Sequence, residues 1–328
     1  EEFRVDGLRW DATAFIRNVY GNDDDPGRDI ADGWSLMAWI NDEINARQPW
    51  KLTIAEDLRG NDRITRDTGA GGAGFDAQWD GGFVHPVRAA LIPPNDTARN
   101  LSSVSDAIRH TYNGDPFERV IYTESHDEVA NGHARLPEEI WPGNAGSWYS
   151  RKRSTLGAAL VFTSPGIPMI FQGQEFLEDQ WFQDNDPIDW SKKDTYAGIL
   201  AMYRDLIRLR RDWYDTTAGL SGPGVEVYHV NHNDKVLAFQ RWRNGGPRDS
   251  VVVVINFSSG SFEDYELGLP REGLWKLRFN SDWVGYSADF GDFPSFDASA
   301  WPTPRDGLPC TGRIGIGPYS ALIFSQDE

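Results

Sequence analysis

Hydrophobic and polar positions along this chain fall into two textures that change near residue 215. Up to about Asp215, short apolar runs end in polar or acidic clusters: FRVDGLRW, KLTIAED, FDAQWD, RVIYTESHD and IPMIFQGQE. Apolar runs of this length, bounded by polar residues, predict short β-strands. Between them, in GWSLMAWINDEINAR and YAGILAMYRDLIRLRRDWY, the apolar residues return every three or four positions and predict helices. In the second of these, Ile199, Met202, Tyr203, Leu206 and Leu209 make one core-facing stripe. Strands alternating with helices predict βα units around a parallel sheet, an α/β fold.

Beyond Tyr214 the helical period disappears. VEVYHVN, KVLAFQRW, SVVVVINF, LWKLRFN and SALIFSQ are strand-like and separated by Gly, Pro, Asn and Asp, the pattern of an antiparallel β-sandwich. The change of texture falls in TTAGLSGPG and divides the chain into a βα portion, residues 1–218, and an all-β domain, residues 219–328.

Charge and composition then remove whole classes of partner. A net charge of −18 repels phosphate backbones and anionic lipid, leaving neutral polar molecules as the natural ligands, so nucleic acid is not expected. No apolar run approaches the roughly 20 residues that span a bilayer, so no membrane association is expected, while the single cysteine leaves the compartment open, leaning cytoplasmic. Cys310, the single cysteine, has no partner for an internal disulfide or a thiolate metal site. The 14 Trp and 11 Tyr exceed what a core usually demands and offer flat amphipathic faces suited to sugars.

Three stretches look like ligand motifs but fit simpler chemistry. GNDDDPGRD clusters carboxylates, yet it lacks the last glutamate of an EF-hand loop and suits turns and helix caps. GAGGAG, Gly69 to Gly74, lacks the Lys and Ser/Thr of a phosphate cradle and marks a flexible or tightly turned loop. His229 and His232 in HVNH are expected on the surface of a β-domain strand. No metal and no cofactor are expected.

The chemistry lies where the first five strands end, because a parallel βα array builds its ligand site at the carboxyl ends of its strands. Asp11 closes the first strand two residues after Arg9, Glu56 closes the second, and His126 with Asp127 closes the fourth. Each acid alone is more commonly a salt-bridged or solvated loop residue. Together, three carboxylates at one mouth suit glycosidic bond chemistry as nucleophile, proton donor and stabiliser. Trp79 and Asp80 end the third strand and pair a ring with a carboxylate, a combination that can contact sugar. Gln174 and Glu175 end the last strand, where they either meet substrate or fix the loop, and His85 after the third strand is expected to be structural.

DGLRWDAT, TIAEDL and YTESHDE resemble, in order, three of the four short motifs of the α-amylase superfamily of glycoside hydrolases. That resemblance implies Asp11 as nucleophile with Arg9 beside it, Glu56 as general acid/base, and His126 and Asp127 as the pair that binds sugar hydroxyls and stabilises the transition state. IFQGQEFLE, the later DPIDW, and Ser125 in SHDE resemble glycogen (1,4-α-glucan) branching enzymes and the related trehalose-releasing hydrolases. The fold implied is the C-terminal part of a (β/α)8 TIM barrel, strands four to eight, followed by an all-β antiparallel sandwich domain. The activity implied is retaining: cleavage of α-1,4 and formation of α-1,6 linkages through a covalent glycosyl-enzyme. An α-amylase-type or malto-oligosyltrehalose trehalohydrolase-type hydrolase is the alternative, and a non-catalytic glucan-binding fragment is the alternative from another class. The implied substrate is an α-1,4-glucan such as glycogen, starch or malto-oligosaccharide. EEFRVDGLRWD has no initiator Met or signal-peptide pattern before it and matches the fourth barrel strand, so the family's first motif is missing. An N-terminal segment or second polypeptide is therefore expected to complete the barrel.

Overall fold

The computed structural model describes residues 3–130 and 132–327. The chain gathers into two compact units, one made of Glu1–Val84, His110–Ile121 and Gly166–Pro168, the other of His85–Arg109, Tyr122–Pro165 and Met169–Glu328.

In the first unit all five predicted strands appear: β1 (Gly7–Trp10), β2 (Leu52–Ala55), β3 (Ala77–Trp79), β4 (Arg119–Ile121) and β5 (Ile167–Pro168). They form one parallel sheet in the order β1-β2-β3-β4-β5. The pairing sets Trp10 opposite Ala55, Ala55 opposite Gln78 and Trp79 opposite Val120, so the carboxyl ends stand nearly level. Two helices follow β1: α1 (Thr13–Arg17) and α2 (Ala31–Arg47), the latter containing the predicted GWSLMAWINDEINAR. Trp34 and Met37 of α2 meet Ala55, Ile64, Ala73 and Phe75 in a small core against which Trp10 and Ile16 pack. GAGGAG is a tight turn: a Cβ on Gly72 would stand 2.0 Å from the Arg66 carbonyl oxygen.

β1 pairs only with β2 and leaves its other edge open among the described residues. Beside it Phe3, Val5, Leu8, Trp39 and Leu52 are exposed and line a groove of about 470 Å³. An unpaired edge flanked by apolar side chains is a template for another strand.

Helix α3 (Gly81–Leu91) begins in the first unit and ends in the second, which continues with α4 (Leu101–Arg109), α5 (Leu136–Ile140), α6 (Trp148–Thr163), α7 (Lys192–Thr195) and α8 (Ala197–Arg210). The predicted stripe of α8 is buried as expected: Ile199, Met202, Tyr203, Leu206 and Leu209. The pattern reading passed over α6 for a physical reason. Every residue from Lys152 to Thr163 is buried, and a helix without a wet face has no amphipathic period. Its hydroxyls turn back on its own carbonyls, Ser154 to Ser150 at 2.6 Å and Thr163 to Ala159 at 2.6 Å.

The all-β part contains β6 (Gly224–Asn231), β7 (Val236–Trp242), β8 (Val251–Asn256), β9 (Phe262–Leu269), β10 (Gly273–Asn280), β11 (Ala298–Ala300), β12 (Cys310–Ile316) and β13 (Ser320–Ser325). Six strands form an antiparallel sheet in the order β11-β10-β13-β8-β7-β6, and β12 pairs with β9 as a ribbon. Val252, Val254, Leu322 and Phe324 from the sheet share one core with Leu267, Leu269, Cys310 and Ile314 from the ribbon, the packing of a sandwich. The valine run of β8 is buried throughout, as a strand covered on both faces must be; α6 packs on neighbouring β13 and α4 on β6. β9 escaped the sequence reading because Glu263, Asp264 and Glu266 interrupt its inward residues Tyr265, Leu267 and Leu269.

His229 departs from its expected surface position. The register shifts between Val227 and His229, and the histidine is wedged between the Tyr265 hydroxyl at 2.8 Å and Asp306 at 3.1 Å. A β-bulge re-aims a side chain in this way.

Candidate active site

Arg9, Asp11 and Glu56 meet because of the register of β1 and β2. Trp10 is opposite Ala55, so Asp11 and Glu56 are the next residues out on adjacent strands, and Arg9 lies one alternation behind Asp11. The Arg9 guanidinium joins the two acids: Nη1 donates to Asp11 Oδ1 at 2.5 Å, and Nη2 stands 3.0 Å from Glu56 Oε2. Glu56 Oε2 also accepts the Ala12 backbone N–H at 2.6 Å. Ala12 reaches that position in the left-handed region, φ 47°, a conformation costing a non-glycine residue about 1–2 kcal/mol. Asp11 Oδ2 and Glu56 Oε1 make no hydrogen bond or ion pair among the described residues, and the Asp11 side chain is 76% exposed. One oxygen of each acid is therefore held and the other is open.

A buried ion network stands under this pair. Arg17 is fully buried and donates to both oxygens of Asp57, 2.7 and 2.8 Å, and to both of Asp23, 2.5 and 3.1 Å. Burial alone would lower the Arg17 pKa, but hydrogen bonds and charge from Asp57 and Asp23 outweigh it and raise it. Asp23 thus ties the GNDDDPGRD loop to the sheet, and Asn61 holds its Oδ1 at 2.9 Å. Among the described residues no group of three or more His, Cys, Asp or Glu is placed to hold a metal ion.

At the end of β3, Trp79 is buried and Arg9 lies over its ring, 4.4 Å from the centroid. That ring face supports the guanidinium. Asp80 is completely buried and accepts from Arg119 at 3.1 Å, His110 at 3.1 Å, Tyr112 at 3.3 Å and the Gly82 N–H at 2.9 Å. Burial would raise its pKa, but the His110 hydrogen bond and the Arg119 charge prevail and hold it below the usual carboxylate range. Four donors saturate a carboxylate, so Asp80 is committed to the interior.

His126 and Asp127 lie in the second unit, side by side, with His126 Nε2 3.2 Å from Asp127 Oδ2, and both are partly exposed. Ser125 shapes the turn they occupy: its hydroxyl accepts the Glu128 N–H at 3.2 Å and its carbonyl the Val129 N–H at 3.2 Å. Glu124 and Arg135, which the sequence reading passed over, clamp this loop. Glu124 Oε1 accepts the Leu136 N–H at 2.7 Å, Oε2 the Arg135 guanidinium at 3.2 Å, and Arg135 reaches the Gln172 and Gln180 carbonyls at 2.8 and 3.1 Å. Burial pushes the Glu124 pKa up despite the Arg135 charge. A charged residue inside RVIYTE was the available signal, since a buried acid needs a cation and Arg135 is near in sequence. Gln174 is buried and bridges, donating to Thr123 Oγ1 at 2.7 Å and accepting the Phe171 N–H at 3.1 Å. His85 sits on α3, largely exposed, with Nδ1 3.6 Å from Glu128.

Comparison with known proteins adds likeness of sequence and fold. Residues 228–327 match the family of the α-amylase C-terminal all-beta domain. Along nearly its whole length the chain is similar to proteins named 1,4-alpha-glucan branching enzyme GlgB. It is 29% identical to that of Nocardia farcinica over 98% of the chain, and 28% identical to those of Corynebacterium diphtheriae and Rhodopseudomonas palustris over 99% and 100%. The chain spans 44%, 45% and 46% of the length of these relatives. Two solved structures share its fold over 99% of the chain, each with a TM-score of 0.66. They are a pullulanase from Anoxybacillus sp. LM18-11, 21% identical and 43% covered, and a debranching enzyme from Nostoc punctiforme, 18% identical and 59% covered. Over nearly its whole length, then, the chain is similar to proteins named as glucan branching enzymes, and its C-terminal part matches the α-amylase C-terminal all-beta domain.

Proposed function

We propose that this chain carries the acid-bearing part of a retaining α-glucan enzyme, specifically a 1,4-α-glucan branching enzyme that cleaves α-1,4 and forms α-1,6 linkages. The observation that supports this is the shared guanidinium, which holds Asp11 and Glu56 together while leaving one oxygen of each open. Retention calls for two carboxyl groups roughly 5–5.5 Å apart, and a common arginine favours such closeness.

Asp11 attacks the anomeric carbon through its open oxygen while Glu56 gives a proton to the departing glycosidic oxygen. The glycosidic bond breaks and a glycosyl ester forms on Asp11. The 6-hydroxyl of a second glucan then passes its proton to Glu56 and attacks the same carbon, forming the α-1,6 bond and freeing Asp11. Asp127 and His126 bind sugar hydroxyls and stabilise the positive charge that develops between these steps. Arg9 orients both acids with Trp79 and Asp80 as supports in the same unit, and Gln174 braces the chain before His126 through Thr123. No cofactor takes part.

In this reading residues 1–218 are the catalytic portion, 219–328 the all-β domain, and an N-terminal segment or second polypeptide pairs with the open edge of β1. The substrate is glycogen or a similar α-1,4-glucan in the cytoplasm. A glucan-binding fragment without catalysis is the second reading, favoured by the chain's spanning less than half the length of those relatives.

The test is amylose incubated with the longest polypeptide that carries these residues. Branching lowers iodine absorbance with few new reducing ends; hydrolysis raises reducing ends in step. Unchanged processing in Asp11→Asn would falsify the assignment of the nucleophile.

A further inference from the structure

The turn that carries His126 and Asp127 is held from outside itself. Their side chains are 39% and 49% exposed, so burial of these two residues does little to fix their aim. Backbone bonds do more. The Ser125 carbonyl accepts the Val129 N–H at 3.2 Å, and the Val129 carbonyl accepts the Phe182 N–H at 2.7 Å, which stitches the turn to the segment from Gln180 to Phe182.

One guanidinium closes the circuit. Arg135, 2% exposed, donates from Nη1 to Glu124 Oε2 at 3.2 Å, directly before Ser125, and from Nε to the Gln180 carbonyl at 3.1 Å, two residues before Phe182. The connections run from Arg135 through Glu124, Ser125, Val129, Phe182 and Gln180 back to Arg135, and His126 and Asp127 lie between the Ser125 and Val129 members. Nη1 also reaches the Gln172 carbonyl at 2.8 Å, and the guanidinium stands 4.6 Å from the centre of the Phe171 ring. Phe171 meets Phe182 edge to face at 5.3 Å between centroids, and Phe182 meets His126 in the same way at 6.5 Å. A planar fork of five donors holds several acceptors at fixed angles, which a lysine on a flexible stem does not.

Arg88 braces the other side of the turn, with Nη1 on the Thr123 carbonyl at 2.8 Å and Nε 3.6 Å from Glu128. With this second brace in place, loss of the Arg135 fork is expected to loosen the aim of the turn without unfolding it.

We infer that Arg135 is a positioning residue for Asp127: it acts on the reacting sugar only through the turn whose two ends it ties together. The role of Asp127 itself rests on the proposed function. An oxygen that stabilises developing charge helps only from the right place, and a displacement of about 1 Å can cost roughly 10²-fold in rate.

The test uses the longest polypeptide that carries these residues, with amylose as substrate. Arg135→Lys keeps a cation beside Glu124 but breaks the fork, and is expected to lower kcat roughly tenfold while KM stays within about twofold. Hydrogen exchange at Val129 and Phe182 is expected to quicken roughly tenfold in the same variant, with β8 unchanged. Asp127→Asn slows the reaction, and adding Arg135→Lys to it is expected to cost less than about twofold more, because the contact that Arg135 serves is already gone. Glu124→Gln, at the other end of the clamp, is expected to repeat the pattern more mildly. Wild-type kcat in a folded Arg135→Lys chain, unchanged exchange, or a loss that multiplies in full with that of Asp127→Asn overturns the inference. So does an equal loss of kcat in Leu322→Ala, a destabilised control in the sandwich core. The two readings fail separately. Wild-type glucan processing in Asp127→Asn sinks the role that the proposed function gives Asp127; a slow Asp127→Asn beside a full-speed Arg135→Lys sinks the positioning role alone.

Discussion

The parallel sheet and the space between the two sandwich layers treat charge in opposite ways. Under the sheet, Arg17, Asp57, Asp80 and Arg119 are all buried and answer one another. Between the layers of the sandwich the core is apolar, and charges such as Glu266 with Arg305 and Arg313 stay at the rim. Buried ions are weak evidence for stability, because desolvation offsets most of their attraction, whereas a dry core stabilises in proportion to its area. The sheet is organised to aim groups at its strand ends, and the sandwich is organised to last.

The sharpest way to break that contrast is in the sheet's acids. Glu56→Gln is expected to lower glucan-processing rate by roughly 10²- to 10⁴-fold while the melting temperature stays put. A parallel loss of stability would show that Glu56 is structural. Next in size, Asp80→Ala removes the buried carboxylate that Arg119, His110 and Tyr112 share and is expected to cost about 3–5 kcal/mol in denaturant unfolding. A normal stability with a raised KM would return Asp80 to the substrate. In the sandwich, Leu322→Ala is expected to cost about 2–5 kcal/mol by opening a cavity, with activity per folded molecule unchanged.

A pH experiment sharpens the comparison further. Burial alone would raise the Glu178 pKa, but Lys192 at 2.8 Å and the N–H groups of Gln180 and Asp189 hold it below its ordinary 4.5. A carboxyl depressed in the folded state contributes fully above its ordinary pKa, and the contribution is lost as pH falls through the folded value. Hydrogen exchange in residues 173–192 should therefore accelerate below about pH 4 ahead of the sandwich strands. Smallest of all, Trp39→Ser beside the open edge of β1 is expected to change stability within about ±0.5 kcal/mol while reducing self-association in sedimentation.

What the chain's pattern discloses follows from how local each feature is. Arg9, Asp11 and Glu56 were legible because two strands of strongly apolar character end in them, and level strand ends then force the meeting. The α8 stripe was legible because one face is wet. Asp80 was not: its partners His110 and Arg119 lie 30 and 39 residues away, so the sequence displays a carboxylate beside a tryptophan and conceals its burial. Glu124 and Arg135 stayed hidden for a related reason, since an ion pair is visible only once both members are known to be inside. α6 was hidden by uniform burial, and β9 by the acids on its outward face.

Cys310 lies on the inner face of β12, free and 3% exposed, in the middle of the apolar core between the sandwich layers. A lone sulfur sealed there is a native clock for the part of the molecule built to last. A maleimide reagent can reach it only when the two layers separate, so the rate of alkylation reads the opening of the sandwich directly. It does so without an engineered label, and in any buffer where the sheet's own charges have already begun to let go.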